Sequence, residues 1–125
     1  MSEDLAPRFE VSEEISDGDV DVVAVRGKIH VSTAPELSTR LATSLDRGVT
    51  SLVLDLSEVE FIDSTGLSVL LNVLRRMTQR GGSLAIVCTN PTVLRLFEIT
   101  RLESTFEIVT TREEALARAG AGARD

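Results

Sequence analysis

Several residue types are scarce in this sequence, and each scarcity excludes a class of protein or site. The chain has no tryptophan, no tyrosine and only four phenylalanines, so its core must be mainly aliphatic. One lysine, few aromatic residues and no basic stripe disfavour nucleic-acid binding. His30 is the only histidine and Cys88 the only cysteine, so the sequence predicts neither a metal cluster nor an internal disulfide. Cys88 ends the apolar run 84–87 and is expected to be buried.

Long apolar segments are also lacking. No apolar run approaches the roughly 18 residues of a membrane-spanning helix. The first residues include Glu3 and Asp4, where a secretory signal would be positively charged. We therefore expect a cytoplasmic protein without a membrane partner.

Charge of one sign is concentrated at the N-terminus. The net charge is −7, and residues 1–25 account for all of it because they contain eight acids and one base, Arg8. Residues 26–125 contain twelve acids and twelve bases. The acidic segment is expected to be a solvated edge of the domain or, alternatively, a surface that steers a basic partner.

The order of patterns predicts one α/β domain over residues 8–118, with an acidic tail at 1–7 and a frayed end at 119–125. A hairpin around residues 17–19 comes first. Strands then alternate with about four helices that cover a mixed β-sheet, parallel in its later part. The predicted strands are 8–15, 20–25, 51–56, 83–88 and 106–109.

The first helix is predicted from its capping residues. It runs from Ala34 to about Arg47, with Ser32 or Thr33 as the cap and Glu36 completing a capping box.

Two later helices are predicted in the same way. Asn90-Pro91 starts a short helix that carries the apolar residues Val93, Leu94, Phe97 and Ile99. Thr110 or Thr111 caps a terminal helix.

The most informative stretch is 58–80, where a strand ends and an amphipathic helix begins. Apolar residues at steps of three and four form one stripe of this helix, namely Leu67, Leu70, Leu71, Leu74 and Met77. Gly81 and Gly82 follow it, as expected at a helix C-cap. Asp63 is a good N-cap, which places Ser64 in the first turn with its hydroxyl outside the core.

Gly66 is an unusual residue for this helix, because glycine costs roughly 1 kcal/mol relative to alanine inside a helix. Its presence predicts that either the neighbouring chain or a partner closely approaches its backbone.

Two interpretations of this corner are open. It is either a capped helix start packed under a loop or a phosphoacceptor site. A phosphate on Ser64 would lie at the positive end of the helix dipole near free N–H donors, and would add a charge of about −1.5 to −2. The corner could accept such a modification without a change in the fold.

Other chemistries fit the sequence less well. The nucleophile elbow of a hydrolase needs glycine two residues before the serine, where this chain has Ile62. A receiver domain phosphorylated on Asp55 remains as an alternative, because Asp55 lies near the end of a predicted buried strand. Such a site needs further acids for Mg²⁺ and a cation, whereas the acids at 17–19 lie in a turn and Lys28 is the only lysine.

The motif Asp63-Ser64-Thr65-Gly66-Leu67, placed between a strand and a helix, is specific. Together with weaker patterns in the segments 27–35, 81–84 and 96–102, it resembles the STAS-domain anti-sigma-factor antagonists of bacteria. The resemblance covers about residues 8–117.

The resemblance implies a switch protein with no catalytic residues, no metal and no cofactor of its own. In that family the unphosphorylated protein binds an anti-sigma factor and thereby releases a sigma factor. The anti-sigma factor is also an ATP-dependent serine kinase that would modify Ser64, and a metal-dependent serine phosphatase reverses this step. ATP and Mg²⁺ therefore belong to the partners.

The resemblance also assigns a partner surface around Ser64. Its expected residues are Lys28, His30, Ser32, Thr33, Asp63, Thr65, Gly66 and Leu67. Lys28 and His30 stand where acids are common in the family, so a surface that is usually negative becomes neutral to positive. A STAS scaffold or sensor module without a kinase partner is the alternative function.

Overall fold

The computed structural model describes residues 8–122, without the side chains of residues 15–17 and 119–122. Its elements are β1 (Glu10–Asp17), β2 (Val20–Ile29), α1 (Ala34–Asp46), β3 (Ser51–Ile62), α2 (Ser64–Gln79), β4 (Ser83–Val87), α3 (Pro91–Ile99), β5 (Glu107–Val109) and α4 (Arg112–Gly122). The predicted tail 1–7 and the last three residues of the predicted frayed end lie outside the described residues. Within the described part of the chain, no helix is long and apolar enough to cross a membrane.

The five strands form one sheet in the order β1-β2-β3-β4-β5. β1 and β2 are antiparallel, and all later neighbours are parallel. The β1–β2 turn contains Gly18 with a φ of +63°, a conformation that suits glycine. The predicted mixed sheet, begun by a hairpin and parallel in its later part, is confirmed.

Helices cover both faces of the sheet, and each face has its own apolar core. The larger core joins α1, α2 and α3 to one face, with Leu41, Leu54 and Phe97 among its fully buried side chains. The smaller core joins α4 to the other face through Val53 and Ala115. Residues that alternate along β3 therefore enter opposite cores, which explains its nearly continuous apolar sequence.

Two strands extend beyond the apolar segments from which they were predicted. β2 continues past the segment 20–25 to Ile29, and β3 continues past the segment 51–56 to Ile62, just before the predicted strand–helix corner. Beyond Asp55, β3 no longer pairs with β4, and its pairing with β2 shifts register twice. Register shifts interrupt the regular alternation of apolar residues. The ends of β2 and β3 thus form a two-stranded extension of the sheet that leads into α2.

The acidic hairpin is solvated along β1, where Glu10, Glu13 and Glu14 are exposed, but not at Asp21 on β2. Asp21 is fully buried and contacts Arg47 at the end of α1, which also contacts Glu13. Two further acids of β1 pair with Arg26 and Arg112. Basic residues from the rest of the chain therefore neutralise much of this edge and hold the hairpin against the body.

The predicted capping box of α1 is wrong. Thr33 occupies the N-cap position but makes no side-chain cap. Its hydroxyl instead donates to the Lys28 carbonyl oxygen at 2.7 Å and accepts from the His30 N–H at 3.0 Å. The hydroxyl is engaged by the end of β2, so it is not used as a cap for α1.

The predictions for the last two helices are confirmed, since α3 starts at Pro91 with Asn90 as its N-cap and α4 is capped by one of the two predicted threonines. In α3, Val93 and Phe97 are buried and Leu94 is partly buried, but Ile99 is 68% exposed. Ile99 follows Phe97 by two positions, which places it on the opposite side of the helix. Thr111 rather than Thr110 caps α4, because its hydroxyl accepts from the Glu114 N–H at 3.0 Å.

Candidate functional site

The corner at Ser64 begins where β3 ends at Ile62. Asp63 is extended, with φ −109° and ψ −173°, and its carboxylate accepts from the Gly66 N–H at 3.0 Å. This bond satisfies one of the backbone donors that a helix leaves free in its first turn. The prediction that Asp63 caps α2 is confirmed.

A second contact ties the corner to β2. The Asp63 N–H donates to the Ile29 carbonyl oxygen at 3.1 Å, immediately after the paired residues Ile29 and Ile62. The corner is therefore supported from two directions, by its own cap and by the end of the neighbouring strand.

Gly66 lets α2 pack directly on these strand ends. A Cβ at this position would lie 2.6 Å from Ile62 Cγ1 and 2.7 Å from Ile29 Cγ2. Such distances are far shorter than carbon–carbon contacts at van der Waals separation. The close approach predicted from Gly66 therefore comes from the chain itself.

Ser64 and Thr65 are exposed in the first turn of α2. Among the described residues, neither hydroxyl forms a hydrogen bond. The Ser64 carbonyl oxygen accepts from the Ser68 hydroxyl, which only reinforces the turn. Ser64 thus presents a free hydroxyl on a rigid helix start.

The loop after β2 lies beside this corner. The His30 carbonyl oxygen accepts from the N–H groups of Thr33 and Ala34 at 3.0 and 2.7 Å. The His30 ring nitrogen Nδ1 accepts from the Ser32 N–H at 3.1 Å. These contacts close the loop into a compact turn, with Lys28 and Ser32 exposed and His30 half-buried.

The predicted partner residues therefore form two adjoining segments, 28–33 and 63–67. Asp63 is half-buried, and Leu67 and Gly66 are buried. Leu67 is 4% exposed, so it supports the corner from below and offers a partner little surface.

Two exposed apolar residues near the corner were not predicted as part of a site. Val31 is 69% exposed and Phe61 is 41% exposed. Val31 lies in the loop and Phe61 pairs with Lys28 across the strand extension. For Val31, the available sequence signal was an apolar residue within a polar loop. The exposure of Phe61, by contrast, depends on the register shift between β2 and β3 that comes just before it.

Asp55 lies in a separate polar groove on the α4 face of the sheet. The groove has a volume of about 210 Å³ and is lined by residues that include Glu14, Arg26, Ser57 and Arg112. One Asp55 oxygen accepts from Arg112 Nε at 3.0 Å and Nη2 at 2.7 Å. The other accepts from the Ser57 N–H at 2.9 Å.

These contacts keep Asp55 ionised. Burial raises the pKa of its carboxyl, but hydrogen bonds from Ser57 and the Arg112 guanidinium outweigh burial and hold the pKa below the ordinary value of 3.8. No group of three or more His, Cys, Asp or Glu side chains among the described residues is arranged to hold a metal ion. Both carboxylate oxygens are occupied, so the groove gives the aspartate-phosphorylated receiver no support.

Comparison with known proteins agrees with the corner motif. The profile of the STAS domain matches residues 10–115. The chain belongs to the STAS domain family. This STAS domain is similar to the anti-sigma-B factor antagonist of Listeria monocytogenes, with 34% identity over 83% of this chain and 93% of the relative. It is also similar to the anti-sigma-B factor antagonist of Bacillus subtilis, with 33% identity over 73% of this chain and 83% of the relative.

A solved structure supports the same assignment. An anti-sigma factor antagonist from Mycobacterium paratuberculosis superimposes with a TM-score of 0.82 and 31% identity, covering 94% of this chain and 96% of that chain. The STAS fold inferred from the sequence is therefore confirmed.

Proposed function

We propose that this STAS domain is an anti-sigma factor antagonist switched by phosphorylation of Ser64. The observation that carries the proposal is the free, exposed Ser64 hydroxyl directly after the capping Asp63. The names of the similar anti-sigma-B factor antagonists support the same function. In this proposal the protein is a regulatory binding protein of the bacterial cytoplasm and not an enzyme.

The corner suits a phosphate for electrostatic reasons. The Asp63 carboxylate accepts from the Gly66 N–H. The N–H groups of Ser64 and Thr65, the two helix residues before Gly66, have no partner within the helix. The positive end of the helix dipole favours an anion there. Since Ser64 points away from both cores, the added group would displace no packed side chain.

The unphosphorylated corner would bind an anti-sigma factor and so release a sigma factor. That anti-sigma factor would carry serine-kinase activity, with ATP and Mg²⁺ bound to it, and a serine phosphatase would restore the binding form. The binding surface would combine the segments 28–33 and 63–67, which the Asp63–Ile29 hydrogen bond holds together.

Phosphotransfer to the purified chain tests this proposal. Candidate anti-sigma factor kinases from the same organism are incubated with the chain and Mg-ATP, and the product is mapped by mass spectrometry. One phosphate on Ser64 is expected, and Ser64→Ala should abolish it.

Thr65→Ala is the matched control, because Thr65 is equally exposed in the same turn. It should still be labelled at Ser64. Labelling at Thr65, or labelling that persists in Ser64→Ala, would contradict the assigned site. Tight binding of an anti-sigma factor without any phosphotransfer would instead indicate a scaffold or sensor function.

A further inference from the structure

The hydrogen bonds of the loop define the protonation of His30. Its Nδ1 accepts from the Ser32 N–H at 3.1 Å, so this nitrogen carries no proton. A neutral imidazole with an acceptor at Nδ1 must carry its hydrogen on Nε2. The loop therefore fixes the imidazole as the Nε2–H tautomer.

That Nε2–H is available for binding. It has no hydrogen-bond partner among the described residues. It is also not buried, because Asp21 Oδ1 is the atom that is both buried and unpaired among them. The exposed Lys28 ammonium likewise makes no ion pair in the described part of the chain. The two residues flank Ile29, whose carbonyl oxygen holds Asp63 at the corner.

The pair offers donors and no acceptors. A protonated lysine has three N–H donors, and this imidazole tautomer has one donor outward while its acceptor faces Ser32. Carboxylates are the side chains on a protein partner that accept hydrogen bonds from such donors with the added attraction of charge. The chemistry of the loop is thus complementary to an acidic segment.

We propose that Lys28 and His30 Nε2–H form a donor pair that recognises a carboxylate-bearing segment of the protein bound at the Ser64 corner. This inference rests on the proposed function for the identity of the binding face. The exposed Val31, which follows His30 in the loop, and the exposed Phe61, which pairs with Lys28, offer the segment apolar surface beside the two donors. A phosphate on Ser64 would repel such an acidic segment.

The tautomer is tested first and without a partner. His30 is the only histidine, so long-range proton–nitrogen correlation spectra of the labelled chain report its ring without ambiguity. In the neutral ring we expect an unprotonated Nδ1 and a protonated Nε2. A neutral ring with its proton on Nδ1 would overturn the proposal.

Recognition is tested with two short peptides. One is an acetylated, amidated tetrapeptide of aspartate and glutamate, and the other has asparagine and glutamine in their places. Amide resonances of Lys28 to Ser32 should shift with the acidic peptide and remain nearly unchanged with the neutral one. Equal shifts with both peptides, or no shift with either, would overturn the proposal.

Three variants separate the donor from the loop structure. His30→Asn keeps an acceptor for the Ser32 N–H and an outward N–H donor, so its affinity for the acidic peptide should stay within about threefold of the wild type. His30→Asp keeps the acceptor but replaces the donor with a negative charge, so affinity should fall at least about tenfold. The affinity of Lys28→Gln for the acidic peptide should lie between the affinities of the two His30 variants. Wild-type affinity in His30→Asp would contradict the donor role.

The outcomes distinguish this inference from the proposed function. Phosphotransfer to Ser64 with peptide shifts absent would reject only the donor pair. Peptide recognition with no anti-sigma factor bound would reject only the proposed partner. Where an anti-sigma factor is bound, its affinity should follow the same order, with His30→Asn near wild type and His30→Asp at least about tenfold weaker.

Discussion

The groove at Asp55 and the corner at Ser64 are both built on β3, but they treat polar groups differently. In the groove, Asp55 and Glu14 pair with Arg112, and Arg26 lies between two glutamates. At the corner, Lys28 and the Ser64 hydroxyl have no polar partner within the described residues.

The paired polar residues of the groove stabilise the fold, whereas the unpaired polar residues of the corner are free to bind a partner. Paired charges in the groove connect β1, β3 and α4 and have little unused hydrogen-bonding capacity. The corner is rigid for another reason, since backbone hydrogen bonds and the packing at Gly66 support it. The Ser64 hydroxyl and the Lys28 ammonium are left free. Changes to the paired charges of the groove, or to the residues that support the corner, should therefore affect stability, and changes to the free side chains of the corner should affect binding.

Phosphorylation of Ser64 should have the largest effect on binding, because it adds charge at the corner and leaves the groove unchanged. At a covered interface an unpaired charge costs about 2–5 kcal/mol, so affinity for the anti-sigma factor should fall roughly 30-fold to several thousand-fold. The thermal midpoint should be unchanged or higher, since the helix dipole favours the phosphate. Both quantities are measured side by side on the two forms.

The charge switch has a matched control one helical turn away. Ser64→Glu adds a single charge at the corner and should weaken binding partially. Ser68→Glu adds the same charge at another exposed position of α2 and should weaken it less. A large loss of thermal midpoint on phosphorylation, or an unchanged affinity, would refute a local charge switch.

Arg112→Met should have the next largest effect, because it leaves Asp55 unpaired in the groove. Breaking a fully buried ion pair costs about 3–5 kcal/mol, but the Arg112 side chain is 30% exposed. We therefore expect a loss of about 1–3 kcal/mol in unfolding free energy, measured by denaturant titration. Arg118→Met removes a more exposed pair on the same helix and should cost under about 1 kcal/mol. Binding at the corner should be unaffected in both.

The Asp55 contribution should also depend on pH. The pKa of Asp55 is lower in the folded protein than its ordinary value of 3.8, so its ionised form stabilises the fold. That stabilisation is fully present above the ordinary value and is lost as pH falls through the folded pKa. The stability difference between wild type and Arg112→Met should be constant from about pH 7 to about pH 5 and narrow below about pH 4. A difference that widens in acid would contradict the Asp55–Arg112 assignment.

Gly66→Ala tests whether packing holds the corner. Overpacking typically costs about 1–3 kcal/mol, and the gain in helix propensity of about 1 kcal/mol offsets part of it. A net loss of up to about 2 kcal/mol is expected because the new Cβ would meet Ile62 and Ile29. Thr65→Ala adds no atom in the same turn and should leave stability nearly unchanged. A more stable Gly66→Ala variant would show that α2 can move away from the strand ends.

Asp63→Ala should give the smallest of these effects. Loss of an N-cap costs about 1 kcal/mol, and the Gly66 N–H would lose its side-chain acceptor. Asp63→Asn keeps an acceptor at the same place and should cost only a few tenths of a kcal/mol. Equal losses in the two variants would indicate that the charge of Asp63, and not its hydrogen bond, stabilises the corner.

Sequence reasoning succeeded where the signal is local. The N-cap at Asp63 and the exposed Ser64 follow from a few neighbouring residues. The Gly81 end of α2, where the Gly82 N–H donates to Met77, follows in the same way. Local reasoning failed for Thr33, whose hydroxyl binds Lys28 and His30 at the end of β2.

By itself, the sequence determined the order of strands and helices and the position of Ser64 at the start of α2. Apolar periodicity and capping residues act over one or two helical turns, so they can be recognised without the fold. Only the tertiary structure decided that Arg112 neutralises Asp55 from far along the chain. It also decided that the end of β2 meets Asp63, which places the His30 loop beside Ser64. Such contacts depend on strand register and helix placement, and no local pattern encodes them.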